Sequence, residues 1–202
     1  MGKGLLFIVS GPSGAGKGTI CRELVARTDV KLSVSMTTRV ARPGEIHGVN
    51  YYFTTKEKFQ EMIAKDGFLE HAEVYGNYYG TPKEAVLGTL DEGRDVVLEI
   101  DIQGALKIRE VCPKGVFIFI LPPSMSELRK RITGRGSESQ DAIDIRLGEA
   151  LKEVSYIDKY DYCVINDEVD TAVEKVIAII SAEHSRVSED IFTFVENYKE
   201  EL

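Results

Sequence analysis

Four short apolar runs set the rhythm of the chain, at residues 5–9, 96–100, 116–121 and 162–165. Each is continuous rather than alternating and rich in β-branched or aromatic residues, the pattern of strands covered on both faces of a parallel sheet. The first ends in a glycine turn, and Pro122-Pro123 stops the third. A segment with helical spacing follows each run, at 19–28, 104–110, 124–133 and 171–184. The third of these opens with Ser124 and carries Glu127 three residues on, a capping-box spacing. The fourth aligns Val173, Val176, Ile177 and Ile180 on one face. Strands alternating with helices predict an α/β fold with a doubly wound parallel sheet.

Two stretches break this rhythm. Residues 34–92 are rich in Thr, Tyr, Gly and Arg with short strand-like pieces, and residues 134–150 are polar around Gly134-Arg135-Gly136. Both read as lobes carried by the core. The closing segment, 188–202, spaces Ile191, Phe194, Val195 and Tyr198 as a helix expected to pack on the core. A length of 202 residues, 43% hydrophobic and 29% charged, suits one domain of ordinary globular composition.

The net charge of −8 argues against a general nucleic-acid binder, which needs a basic surface. It leaves room for small anions held by a few converging arginines. Cys21, Cys112 and Cys163 are odd in number, widely spaced and outside any Cys/His ligand pattern, so buried free thiols in a reducing compartment are expected. Residues 5–9 are too few for a signal core or a membrane span, and Leu6 stands where a myristoylation motif after Gly2 wants Ser or Thr. A cytoplasmic location without a membrane partner is expected; the residues leave oligomeric state open.

Between the first strand and the first helix stand Gly11, Pro12, Ser13, Gly14, Ala15, Gly16, Lys17, Gly18 and Thr19. Glycines let the backbone turn with its N–H groups inward, and the following helix adds its positive end. A lysine at this spacing reaches the β- and γ-phosphates of a nucleotide. The Ser or Thr that usually follows the lysine is Gly18 here, and the hydroxyl comes one place later, on Thr19. Either Thr19 helps hold Mg²⁺, or phosphates and water hold it. Lys-Gly-Thr at this point is similar to nucleoside monophosphate kinases.

Glu99 and Asp101 close the second apolar run and, at i and i+2, point to one side of a strand. Carboxylates beside a phosphate loop manage Mg²⁺ or a phosphate-binding arginine. Asp101-Ile102-Gln103-Gly104 also fits the Asp-x-x-Gly element of a nucleotide switch. A switch then needs Asn-Lys-x-Asp after a later strand, where this chain has Asn166-Asp167-Glu168-Val169.

Arg39 and Arg42, three residues apart in an acidic chain, mark an anion site. Ser35 precedes them, and Tyr51, Glu70, Tyr79 and Thr81 follow. In this order, with the phosphate loop and residues 98–104, 134–136 and 164–167, they resemble the guanylate kinase family over nearly the whole chain. The resemblance implies one domain over 1–202: a core of 1–33, 93–125 and 151–202, a GMP-binding lobe at 34–92 and a lid at 126–150. It implies that Arg39, Arg42, Tyr51 and Tyr79 hold the GMP phosphate. Glu70 would accept from the adjacent guanine N1–H and N2–H₂ donors, with Ser35 and Thr81 serving O6. Arg131, Arg135 and Arg146 would close on the ATP phosphates, and Asn166 would lie against the adenine. Arg131 and Arg135 share a helical face if their helix runs that far.

The implied reaction is ATP + GMP → ADP + GDP, with dGMP a second acceptor, in purine nucleotide metabolism. The acceptor phosphate is already ionised, so alignment and charge neutralisation replace a general base. Lys17, Arg39, Arg42, Asp101, Arg135 and Arg146 with Mg²⁺ would carry that work. A non-catalytic scaffold of this kind would lack an intact phosphate loop, and a kinase for a ribose bisphosphate would lack Glu70, Ser35 and Thr81; this chain has them all.

Overall fold

The computed structural model describes residues 3–74, 76–134, 140–187 and 189–200. The strands among them are β1 (Leu6–Ser10), β2 (Lys31–Leu32), β3 (Met36–Thr37), β4 (Tyr52–Phe53), β5 (Phe68–Val74), β6 (Asn77–Pro82), β7 (Val96–Glu99), β8 (Val116–Leu121) and β9 (Tyr162–Ile165). The helices are α1 (Lys17–Arg27), α2 (Lys56–Ala64), α3 (Lys83–Asp91), α4 (Ile102–Val111), α5 (Met125–Thr133), α6 (Gln140–Val154), α7 (Val169–His184) and α8 (Glu189–Glu200).

The core sheet has the order β2-β7-β1-β8-β9, and every pairing is parallel. Its continuous apolar strands split their side chains between two layers. Phe7, Val9, Val97, Ile118 and Ile120 pack under Ile20 and Leu24 of α1 and Val173 and Val176 of α7. Leu6, Ile8, Leu98 and Phe117 pack under Ala105 and Ile108 of α4. Burying each such Ile, Leu or Phe contributes about 1.5–3 kcal/mol. The doubly wound sheet follows from that alternation. β1 lies between β7 and β8, so its C-terminal end opens at the point where successive connections leave in opposite directions, the usual ligand crevice of such sheets.

Residues 34–92 build a second sheet, β4-β3-β6-β5. One side is held by α2, where buried Phe59 stacks between Phe68 and Tyr78 with ring centroids 4.4 and 5.5 Å away. A Cβ on Gly80 would meet both Phe68 and Phe59, so glycine there admits the aromatic stack. The last helix of this stretch, α3, buries Val86 among the core residues Leu6, Ile8 and Leu98 and so ties the lobe to the core. Helices α5 and α6 form their own small core from Leu128, Ile132, Ile143, Leu147 and Ala150. The Ser124 hydroxyl accepts from the Glu127 N–H at 3.1 Å and starts α5 as the sequence predicts.

One expectation falls outside the described residues and two are corrected. Helix α5 ends at Thr133, with Gly134 as its C-cap, short of the run that a shared face for Arg131 and Arg135 requires; Arg135 itself lies outside the described residues. Helix α8 forms, but Ile191, Val195 and Tyr198 remain 44–53% exposed; spacing marks a helical face without saying what covers it. All three cysteines are free thiols, but only Cys21 is buried; Cys112 caps the end of α4, and Cys163 is exposed on the edge strand β9. Among the described residues no helix is long and apolar enough to cross a membrane.

Candidate active site

The phosphate loop joins β1 to α1. Gly11, Gly14 and Gly16 have φ of 141°, 91° and 94°, a region that favours glycine. Lys17 opens α1 and folds back over the loop, its Nζ donating to the Gly11 carbonyl at 2.5 Å and the Pro12 carbonyl at 3.1 Å. Burial pushes its ammonium below the usual lysine range, opposed first by the charge of Glu99, then of Glu153 and Asp101. Asn166, 2% exposed, lies under the loop, its Nδ2 donating to the Ala15 carbonyl at 2.7 Å. Its Oδ1 is buried without a protein partner. Asn166 thus braces the loop.

Helices α5 and α6 reach the same loop. The Cβ position of Gly14 would lie 3.0 Å from Leu128 of α5. Arg131 donates through Nε to Glu127 at 3.1 Å and through Nη2 to the Asn166 carbonyl at 3.1 Å. Arg146 on α6 donates to the Ser13 hydroxyl at 2.8 Å. The Ser13 main chain also meets the Glu153 carboxylate, which burial raises above the usual range against the pull of Lys17. Arg135 lies outside the described residues.

Gly18 has a local cause. A Cβ there would sit 3.1 and 3.3 Å from the two carboxylate oxygens of Glu99. Space that a serine or threonine would need is filled by a carboxylate from β7. Burial raises the Glu99 carboxyl, with Lys17 and then Arg22 opposing. Thr19 stands in the first turn of α1, its hydroxyl 3.4 Å from Arg22 Nη2. Asp101 caps α4, its Oδ1 accepting from the Gly104 N–H at 2.7 Å. The Asp-x-x-Gly element is therefore a helix cap here. Among the described residues no group of three His, Cys, Asp or Glu could hold a metal unaided. Thr19, Glu99 and Asp101 supply hard oxygen donors beside the loop, the type and small number that suit Mg²⁺ shared with phosphates and water.

A cleft of about 250 Å³ separates this end of the core from the lobe and is lined by Ser35, Tyr51, Glu70, Tyr79, Glu99 and Asp101, among others. Glu70 on β5 faces Thr81 on β6 across the antiparallel ladder. The Thr81 hydroxyl donates to Glu70 Oε1 at 2.7 Å in a buried bond. Burial raises the Glu70 carboxyl, and the Thr81 bond partly opposes it. A Cβ on Gly104 would lie 3.3 Å from Glu70 Oε2, so glycine at this cap makes room for the carboxylate.

In the cleft wall, Tyr51 and Tyr79 meet edge to face at 6.1 Å, and the Arg39 guanidinium sits over the Tyr51 ring at 5.5 Å. The Tyr79 hydroxyl lies within hydrogen-bonding reach of Arg39. Arg42 is exposed on the adjoining turn. The fold therefore lines one cleft with Ser35, Tyr51, Glu70, Tyr79, Glu99 and Asp101, sets Thr81 and Arg39 against these side chains, and brings Glu99 against Gly18 of the phosphate loop; Arg131 and Arg146 meet Asn166 and Ser13 on the loop. The neighbours that sequence reasoning did not bring in are Glu45 and Glu153, and Gly104, which the sequence presents as part of an Asp-x-x-Gly element, serves instead to admit the Glu70 carboxylate. Glu45 carried a signal, as the residue after an Arg-Pro-Gly turn.

A parallel sheet with a phosphate loop at its switch point, arginines of α5 and α6 near that loop and a cleft toward the second sheet have the form of a P-loop kinase fold. Comparison with known proteins narrows the class. A protein-family model described as guanylate kinase matches residues 3–183. The chain is 61% identical over 186 residues to the guanylate kinase of Caldanaerobacter subterraneus subsp. tengcongensis, covering 92% of this chain and 90% of that protein. It is 55% identical over 201 residues to the guanylate kinase of Clostridioides difficile, covering 99% and 98%. The crystal structure of guanylate kinase from Anaplasma phagocytophilum superposes with a TM-score of 0.77 at 34% identity, covering 93% of this chain and 89% of that one. The chain belongs to the guanylate kinase family.

Proposed function

We propose that this chain transfers the γ-phosphoryl group of ATP to GMP, giving ADP and GDP, with dGMP as a second acceptor. The observation that carries this reading is the buried Glu70–Thr81 pair facing a cleft whose opposite lining includes Glu99, the carboxylate that lies against Gly18 of the phosphate loop. Guanine offers N1–H and N2–H₂ donors side by side, and a carboxylate accepts both. Adenine presents an acceptor at N1 and would leave that buried carboxylate unpaired, a mismatch that costs such sites about 10⁴ or more in kcat/KM.

Arg39 and the Tyr51 and Tyr79 hydroxyls take the GMP phosphate, and Arg42 joins them from its exposed turn. The loop N–H groups and Lys17 take the ATP phosphates; Lys17 leaves the Gly11 and Pro12 carbonyls to do so. Arg146, already over the loop, and Arg135 neutralise charge on the transferring group. Arg131 holds the lid helix against the loop through Asn166. Asp101 orients the helix that borders the base. Mg²⁺, held through Thr19, Glu99 or Asp101 with the nucleotide, would offset phosphate charge. The lobe at 34–92 and the lid at 126–150 carry the acceptor and the arginines, and the reaction belongs to cytoplasmic purine nucleotide metabolism. Incubation with ATP, Mg²⁺ and GMP tests the reading: ADP and GDP should appear in equal amounts. ADP without GDP would reduce the activity to hydrolysis and overturn it.

A further inference from the structure

Residues 42–45 form a Pro-Gly turn with Gly44 at φ 87° and the Glu45 N–H donating to the Arg42 carbonyl at 3.0 Å. Pro then Gly with positive φ is the type II signature. The turn folds Glu45 back onto the anion site. Glu45 Oε2 accepts from the Arg42 N–H at 2.7 Å and from Arg39 Nη1 at 3.0 Å, and Oε1 accepts from Arg39 Nη2 at 2.8 Å. Arg39 Nη1 spends its other hydrogen on the Val40 carbonyl at 2.8 Å.

A guanidinium has five N–H donors. Three are thereby taken, all on the Nη1 side and the end of the fork. The Nε–H and the second Nη2–H share one edge of the planar guanidinium, and neither goes to Glu45 or Val40; the Tyr79 hydroxyl is within hydrogen-bonding reach of Arg39. That edge is a fork of the kind that matches two phosphate oxygens, with the Tyr79 hydroxyl beside it. The Arg39 plane is further fixed by the rings of Tyr51 and Phe53 at 5.5 and 5.8 Å, with the Tyr79 hydroxyl in reach. The Arg39 and Glu45 side chains are only 15% and 19% exposed, so the pair is a built feature rather than a loose surface contact.

We propose that Glu45 is a positioning residue for the acceptor phosphate: it occupies one edge of Arg39 so that the other edge is presented, already oriented, to the phosphate of a nucleoside monophosphate. This rests on the reading of the lobe as the GMP site. Glu45 also cancels one positive charge there, so its net effect depends on alignment outweighing lost attraction. The alignment argument predicts the sign. Glu45→Gln keeps the shape but turns an amide NH₂ toward one arginine N–H, so the fork must rotate and both edges lose register.

The test is initial-rate kinetics and calorimetric GMP binding on the full chain carrying Glu45→Gln, Glu45→Asp, Arg39→Ala and the Arg39→Ala/Glu45→Gln pair. Glu45→Gln should raise the KM and Kd for GMP about tenfold, the worth of one charge-assisted hydrogen bond. The KM for ATP should stay within about twofold, and Glu45→Asp should recover part of the loss. In the Arg39→Ala background Glu45→Gln should have no further effect, as a double-mutant cycle requires of a residue acting through its partner. An unchanged or lower KM for GMP, an equal rise for ATP, or an effect that survives Arg39→Ala would each overturn the proposal. Wild-type protein that failed to phosphorylate GMP would overturn the acceptor reading instead.

Discussion

Glu70→Gln gives the sharpest contrast between site and fold. Glu70 is 8% exposed, and its Oε1 already receives the Thr81 hydroxyl at 2.7 Å. A glutamine keeps that bond only by turning its NH₂ toward the ligand, where guanine also presents donors. Hydrogen bonds to a charged acceptor contribute about 1.5–3 kcal/mol each. Losing or reversing two of them costs about 3–6 kcal/mol, or roughly 10²–10⁴ in kcat/KM for GMP. ATP binding, on the other side of the cleft, should not change. Stability should move the other way. Because burial raises the Glu70 carboxyl, its ionisation opposes folding. That penalty is absent below the unfolded carboxylate range and complete once pH exceeds the folded value. The glutamine variant should therefore melt at or above wild type near pH 8, and the difference should close as pH falls toward about 4. Steady-state kinetics for each substrate and melting curves across pH read both effects. Equal losses for GMP and ATP, or a variant less stable than wild type near pH 8, would refute the reasoning.

Three further perturbations follow from named contacts. Lys17→Ala should lower kcat by about 10²–10³, the usual loss on removing a group that stabilises transition-state charge, with little change in melting; a variant that fails to fold would contradict it. Asn166→Ala strips the buried donor from the Ala15 carbonyl and should cost about 1–3 kcal/mol in denaturant unfolding, with weaker ATP binding by calorimetry; an unchanged unfolding midpoint would contradict it. Gly104→Ala places a methyl 3.3 Å from both Glu70 Oε2 and Asp101 Oδ1 and should raise the KM for GMP while sparing that for ATP. Equal shifts for both substrates would show that the glycine serves only the helix cap.

The central strands were legible because burial on both faces writes an unbroken apolar run into the chain. β2 was not, since Lys31–Leu32 is too short for any period to show. Helix α2 buries only Phe59 and α3 only Val86, so neither writes a clear apolar face into the lobe sequence. In the site, the glycines of the phosphate loop announced their positive φ values. Glu99 could be read as a candidate from its strand end. Its contact with Gly18 could not, because only the β1–β7 pairing brings the two together. Glu45 follows the two arginines closely in the chain, but a sequence does not say which edge of a guanidinium a carboxylate will fill.

The central claim is that the cleft selects guanine as acceptor base. The most direct measurement is ADP release from ATP and Mg²⁺ with GMP, dGMP, AMP, CMP and UMP supplied one at a time. The Glu70–Thr81 pair predicts turnover with GMP and dGMP and a kcat/KM for AMP lower by about 10⁴ or more, as for sites whose buried polar groups are left unpaired. Comparable turnover with AMP or UMP would contradict it.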